Sequence, residues 1–340
     1  VSEEREQLRH ALRGRLAGGA AGQAWASLDE AGVLGLRVPE ALGGLGLAAA
    51  ELDPVFDVLG ELCLATPYLE TAVVAAGLLG RLRGEAGDAL LARIVQGERV
   101  AVAGVEPTLS AGVAATPAGP DWRLSGRAAL VVGGMDAAAL LVLADVEGAP
   151  AMFVAADAWR AARRPVPTLD GRMAADIVLD GLDAVRIPGD VGMALAATRD
   201  EATAAICVEA AALCRRLVRD TVEYAKHRQQ FGQPLSGFQV VRHRLVDMNL
   251  QARRLTAIAG RAMAALEAGE AERARAVSAA KVTACRAGRA VGQGAVQLHG
   301  GMGMTEELAI GRMFKRLTVI ESELGSADFH LNRFRTVQAA

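Results

Sequence analysis

Lysine is nearly absent from this chain: Lys226, Lys281 and Lys315 are the only three among 37 basic residues. The rest are arginine. Together with the abundance of alanine, this reads as the codon bias of a GC-rich genome and not as a structural adaptation. Aromatic residues make up 4% of the chain, and the formal net charge is −2. A nucleic-acid binder needs a basic domain and, for single strands, aromatic platforms for the bases. No nucleic-acid partner is therefore expected. Cysteine is sparse too. Cys63, Cys207, Cys214 and Cys285 form no C-x-x-C pair, and all but Cys63 lie in helical patterns. Buried free thiols are expected. The histidines show no H-E-x-x-H spacing, so no metal site is expected. No run of about 18 apolar residues exists to span a membrane. The segment VSEEREQLRH is charged and lacks the apolar core of a signal peptide. These absences give the expectation of a cytoplasmic protein.

What is present is a globular composition, 52% hydrophobic and 22% charged, which is incompatible with disorder. The 340 residues suffice for two or three domains with a large core. Residues 1–97 read as helices: Leu8, Leu12 and Leu16 recur at helical spacing, as do Val55, Val58, Leu59 and Leu62. Between them VPEALGGLGL, residues 38–47, is a glycine-rich loop. Residues 98–190 change character. RVAVAGVE, AALLVLADV, PAMFVAAD and DIVLDGL are strand-like and separated by turn residues, which predicts a small antiparallel barrel or sandwich. From about 191 to 340 the pattern is helical again. One stripe runs through Ile206, Ala210, Leu213, Leu217, Thr221 and Tyr224. Another runs through Phe238, Val241, Leu245, Met248, Ala252 and Leu255. Residues 271–298 and about 306–321 give two more helices, so a bundle of four or more is expected.

Two segments carry chemistry. RQQFGQPLSGFQ, starting at Arg228, joins two long helices through a tight Gly-Pro turn. An arginine fixed at a helix end is suited to gripping a pyrophosphate. QLHGGMG, from Gln297 to Gly303, ends a long helix in glycines that admit close backbone approach. Plainer readings stand beside these. Gln239, three residues after Ser236, fits the return half of a capping box. Gly300 and Gly301 fit a helix C-cap. Arg228 alone fits a solvated surface arginine.

Taken together, four segments resemble the acyl-CoA dehydrogenase family across essentially the whole chain. WASLDEAGVLGLRVPEALGGLGL resembles its N-terminal signature, and IVLDGLDAVRIPG the end of its β domain. RQQFGQPLSGFQVVRHRLVDM and QLHGGMGMT resemble its two C-terminal motifs. The resemblance implies an α+β multidomain fold: an N-terminal helical domain, a middle β-barrel or sandwich, and a C-terminal four-helix bundle. It implies that Arg228, Gln230, Phe231 and Gln239 contact an FAD bound to a neighbouring subunit, with Gln297, Gly300 and Gly301 along its adenosine end.

The family's activity is α,β-desaturation of an acyl-CoA thioester. A carboxylate removes the α-proton, and general-base catalysis is worth about 10²–10⁴-fold. The family places this base just before a Gly-Thr/Ser pair. Here Gly325-Ser326 puts Leu324 at that position, and leucine accepts no proton. An alternative family position, counted back from Arg228, falls on Ala202. Glu323 and Glu201 are each one residue away. Glu201 is rotated by about 100° on a helix, and both are otherwise expected to be ordinary surface carboxylates. The family loop T-E-P-x-A-G-S-D reads Val105-Glu106-Pro107-Thr108-Leu109-Ser110-Ala111-Gly112. Its flavin-packing Trp-x-Thr reads Leu130, Val131 and Val132, without the hydroxyl donors.

Residues serving this subunit's own flavin are degraded, whereas those serving a neighbour's flavin are intact. The chain thus resembles the base-lacking subunit of heteromeric (α2β2) acyl-CoA dehydrogenases of bacterial steroid catabolism. Such a subunit shares its FAD with a partner chain of the same family, acts on an acyl-CoA, and passes electrons to an electron-transfer acceptor. The alternatives are three: a self-sufficient homo-oligomer using Glu323 as base, a non-catalytic acyl-CoA-binding scaffold, and a flavin monooxygenase of the same fold.

Overall fold

The computed structural model describes residues 3–18, 23–107, 112–304 and 308–339. Two compact units interleave along the sequence. One comprises Val1–Ala17, Leu52–Leu64 and Thr203–Ala340; the other comprises Gly18–Glu51 and Ala65–Ala202. The first third is helical: α1 (Glu3–Leu16), α2 (Ala24–Glu30), α3 (Asp53–Leu62), α4 (Ala76–Leu82) and α5 (Glu85–Val95), with a π-helical segment, Leu69–Ala75, leading into α4. In α1 the acidic residues Glu3, Glu4 and Glu6 sit in the first turn and Arg13 and Arg15 in the last, complementing the helix dipole. The glycine-rich loop 38–47 contains a single short 3-10 turn, Glu40–Leu42.

Seven strands follow: β1 (Val100–Ala103), β2 (Val113–Ala118), β3 (Asp121–Val132), β4 (Ala139–Val146), β5 (Ala149–Ala155), β6 (Arg163–Pro167) and β7 (Met173–Ile187). They close into a barrel, because the path β4-β2-β3-β7-β5 returns to β4. Most pairings are antiparallel, but β1 and β2 both run parallel to β4, along the same edge. The barrel core is built from Leu124, Leu140, Val142, Phe153, Trp159 and Ile177. Each such side chain stabilises by roughly 1.5–3 kcal/mol on full burial. β6, RRPVP, pairs only with β7, and its two prolines suit that edge position.

The bundle contains α6 (Val191–His227), α7 (Gln239–Ala264), α8 (Glu270–His299), α9 (Ala309–Ser322) and α10 (Ala327–Ala339). α8 packs on α7, α9 and α10. Ile206, Ala210, Leu213, Leu217 and Thr221 of α6 are fully buried, as their spacing predicts. On α7 the stripe is buried only from Met248 onward, through Ala252 and Leu255; Val241 and Leu245 are half-buried. α3 and α6 cross very closely at Gly60, where a Cβ would lie 2.4 Å from the Glu209 carbonyl oxygen.

Candidate functional site

α6 ends at His227, and the chain turns at once into a two-strand hairpin, β8 (Gln229–Gln230) and β9 (Gln233–Pro234). Arg228 anchors both ends of this knuckle: its amide donates to the Tyr224 carbonyl at 2.8 Å, and its carbonyl accepts from the Leu235 amide at 2.8 Å. The loop residues Phe231 and Gly232 both have positive φ, +50° and +79°. Two-residue hairpins require this, and they favour Asn-Gly. A phenylalanine held there is strained by about 1–2 kcal/mol. Its ring is 91% exposed, touching only the edge of Phe238, 6.3 Å between centroids. The Arg228 guanidinium is exposed and, among the described residues, makes no ion pair or hydrogen bond.

Gln239 is the first residue of α7 and is exposed. The capping box does not form: Phe238 is the N-cap, and no side chain caps the helix. The Ser236 carbonyl instead accepts from Arg242 Nε at 2.7 Å.

At the end of α8, Gln297 is exposed and Gly300 is the C-cap, its amide donating to the Gln297 carbonyl. Gly300 adopts φ +62°, ψ −143°, a conformation essentially confined to glycine. Side chains added at Gly300 or Gly301 would meet nothing within 4 Å, so the space above both is open. Thr305 lies outside the described residues.

The structure joins these two motifs through a pair that sequence reasoning missed. The Tyr224 ring, one turn before Arg228, stacks on His299 at 4.2 Å with 25° between planes. His299 Nδ1 lies 2.9 Å from the Ala295 carbonyl, which can only accept. The proton is therefore on Nδ1, and the ring is fixed. The hairpin end of α6 and the glycine end of α8 are thus one rigid surface.

The position before Gly325-Ser326 is locked. Leu324 is buried and sits at φ +57°. Its carbonyl lies 2.9 Å from His330 Nε2, and His330 Nδ1 lies 3.3 Å from Ser278 Oγ. Beside it Lys281 is fully buried. Its ammonium donates to the carbonyls of Ile320 (2.8 Å), Glu323 (2.8 Å) and Gly325 (2.7 Å). The Glu321 carbonyl lies further out at 3.5 Å, so every ammonium proton has an acceptor and the turn is held from several sides.

Neither nearby carboxylate is the surface group the sequence suggested. Glu323 Oε2 accepts from Arg316 Nη1 at 2.9 Å, and both side chains are 9% exposed. Arg316 also grips Glu209 bidentately, at 2.6 and 2.7 Å. Glu201 is buried between Arg37 (2.8 Å) and Arg81 (2.6 Å), and Ala202 is fully buried. Arg37 and Arg81 lie far from Glu201 in sequence, and Arg316 is tied to Glu209, 107 residues away, which is why burial could not be read locally. Carboxylates held this way are ion-paired struts and not poised bases.

In the barrel, Leu130 sits at φ +53° in a β-bulge of β3. Its amide donates to Asp176 Oδ1 at 2.9 Å, and Arg127 pairs with the same carboxylate. Those two bonds hold the Asp176 carboxyl below its usual range. Val131 is buried, and Val132 borders a cleft of about 240 Å³ with Trp25, Thr66, Pro67, Arg99 and Met173. That is smaller than typical ligand pockets of about 300–1,000 Å³. None of Leu130, Val131 and Val132 has a side-chain donor for a flavin. Residues 108–111 of the degraded loop lie outside the described residues.

The cysteines are free, and Cys207, Cys214 and Cys285 are buried. Among the described residues no metal-binding cluster exists, and no helix is long and apolar enough to cross a membrane.

A family model described as "Acyl-CoA dehydrogenase, C-terminal domain" matches residues 192–336. The acyl-CoA dehydrogenase FadE27 of Mycobacterium tuberculosis is 31% identical over 322 residues, spanning 91% of this chain and 86% of that one. IpdE2 of Mycolicibacterium smegmatis, also an acyl-CoA dehydrogenase, is 28% identical, spanning 85% and 78%. Among solved structures, the Tcur3481–Tcur3483 steroid ACAD G363A variant superposes with a TM-score of 0.88 at 28% identity, over 99% of this chain and 98% of that one. The ChsE4–ChsE5 complex from Mycobacterium tuberculosis superposes with a TM-score of 0.89 at 26% identity, over 100% and 98%. Fold and relatives together define a flavin-dependent oxidoreductase. The chain belongs to the acyl-CoA dehydrogenase family.

Proposed function

We propose that this chain is the non-catalytic half of a heteromeric acyl-CoA dehydrogenase, most simply α2β2, contributing FAD contacts to a partner chain that carries the base. The observation that carries the reading is the locked turn at Leu324, set against the open surface at Arg228. At the first, a leucine with its carbonyl bound to His330 occupies the base position. At the second, a guanidinium with no hydrogen-bond or ion-pair partner among the described residues stands beside a strained, exposed phenylalanine. Strain of that kind persists where function or surroundings demand it.

The bundle residues fit an FAD. Arg228 would neutralise pyrophosphate charge, a charge-assisted interaction worth about 1.5–3 kcal/mol. Phe231 and Gln230 would cover the cofactor, and Gln239, Gln297 and the open backbone at Gly300 and Gly301 would line it. The barrel residues of this chain fit poorly, since Leu130 and Val132 offer no donors and the Leu130 amide is already taken by Asp176. FAD, when bound, supplies the hydride acceptor for α,β-desaturation of the acyl-CoA. The residues named here bind and orient it and exclude water. One structural neighbour is a steroid ACAD. It supports a bulky substrate such as a steroid side-chain CoA thioester, with an electron-transfer acceptor reoxidising the flavin.

The test is the visible absorbance spectrum of the chain purified alone and after co-expression with the products of neighbouring genes. Colourless protein alone, and about one flavin per pair in the complex, is expected. Stoichiometric flavin on the single chain would overturn the half-site reading.

A further inference from the structure

Several arginines of the bundle unit are ion-paired with carboxylates: Arg9 with Asp53, Arg13 with Glu61, Arg215 with Asp57, Arg289 with Glu321 and Arg316 with Glu209. α7 concentrates arginines that are not. Its sequence holds five arginines, Arg242, Arg244, Arg253, Arg254 and Arg261, against one acid, Asp247. All are exposed, and none of the five forms an ion pair among the described residues. The same helix exposes apolar residues. Met248, Ala252, Leu255 and Ala259 face the bundle. On the opposite side Val246 and Leu250, one turn apart, are 55% and 53% exposed. Gln239 lies seven residues before Val246 and exposed Ala257 seven after Leu250, so all four share one face. Arg253, Arg254, Arg261 and His243 flank it.

An apolar stripe bordered by unpaired arginines is half of an interface. We propose that this face of α7 docks a second helical chain whose contacting helix carries a matching apolar stripe bordered by Asp and Glu, and that its charge excludes a second copy of this chain. The proposal deepens the heteromeric reading and rests on it, supplying a physical reason for hetero-association. A two-fold contact sets a patch against itself, so a self-pair would oppose arginine to arginine. Like charges brought together in this way suppress the wrong partner, while an acidic partner is steered in. The exposed valine and leucine favour a protein over a nucleic acid, whose phosphates would use the arginines alone.

The test uses this chain only, without flavin or partner, so its failure is distinct from failure of the heteromer reading. Sedimentation velocity would compare three samples in about 0.05 M salt: the wild type, an Arg253→Glu/Arg254→Glu/Arg261→Glu variant, and their equimolar mixture. The mixture supplies the missing acidic face. Its dimer fraction is expected to exceed that of either chain alone about tenfold, and to collapse when salt is raised to about 0.5 M. A neutral variant with glutamine at the same three positions keeps the stripe without the repulsion. It should self-associate more than wild type. Equal association in all samples would overturn the proposal. So would a wild-type dimer that the glutamate substitutions abolish.

Discussion

Arg316 holds Glu323 at 2.9 Å while its other edge grips Glu209, 107 residues earlier in the sequence. The carboxylate nearest to the base position is therefore already engaged, inside a buried triad. Glu323→Gln keeps an acceptor for Arg316, and Glu209 still neutralises the guanidinium. It should cost on the order of 1 kcal/mol of stability and leave the turnover of the complex within about threefold. A loss above about 10²-fold would instead identify Glu323 as the base. Arg316→Leu removes the cation that two buried carboxylates share and should destabilise by about 3–5 kcal/mol. Urea unfolding of both variants separates the effects.

Arg228 has the opposite profile. Among the described residues its guanidinium makes no hydrogen bond or ion pair, so Arg228→Ala should leave the urea midpoint of the isolated chain essentially unchanged. In the complex the same substitution removes a phosphate contact worth about 1.5–3 kcal/mol. That weakens flavin binding by roughly 10- to 100-fold, readable as the flavin-to-protein absorbance ratio after dialysis. Unchanged flavin occupancy would mean that this arginine serves no flavin.

Phe231 trades stability for an exposed aromatic surface. Phe231→Asn converts the loop to the Asn-Gly pair that such hairpins prefer. It should stabilise the chain by about 1 kcal/mol, since asparagine tolerates the left-handed conformation. The complex should nevertheless retain flavin less well. A variant that is both less stable and unaffected in flavin retention would show that the phenylalanine is held for packing instead.

The tight turn after Arg228 and the glycine-ended helix were legible because each depends on a short contiguous pattern. Tyr224–His299, Arg316–Glu209 and the Lys281 cage were not. Each pairs segments brought together only by the packing of α6, α8 and α9, and no local signal marks one partner for the other. Glu201 and Glu323 were misjudged for the same reason: an isolated glutamate defaults to the surface. β6 escaped notice because its arginines and prolines break the alternation that identifies a strand.

The buried thiols give the chain a distinct alkaline response. Burial pushes Cys207 and Cys214 up to about 12 and Cys63 up to about 11, from an ordinary value near 9. Folded-state values above the unfolded ones mean that the native chain retains protons that the unfolded chain releases. This contribution is fully present below pH 9 and is lost as the pH rises toward 12. In that window each enclosed thiol lowers stability by about 1.4 kcal/mol per pH unit. The urea midpoint should thus fall steeply above pH 9. Cys207→Ala/Cys214→Ala should be less stable at pH 7, because of the volume it removes, yet lose stability more gradually above pH 9. Unfolding series at pH 7, 9 and 10.5 compare the two slopes. Parallel lines would mean that these thiols ionise in the folded chain as readily as in the unfolded one.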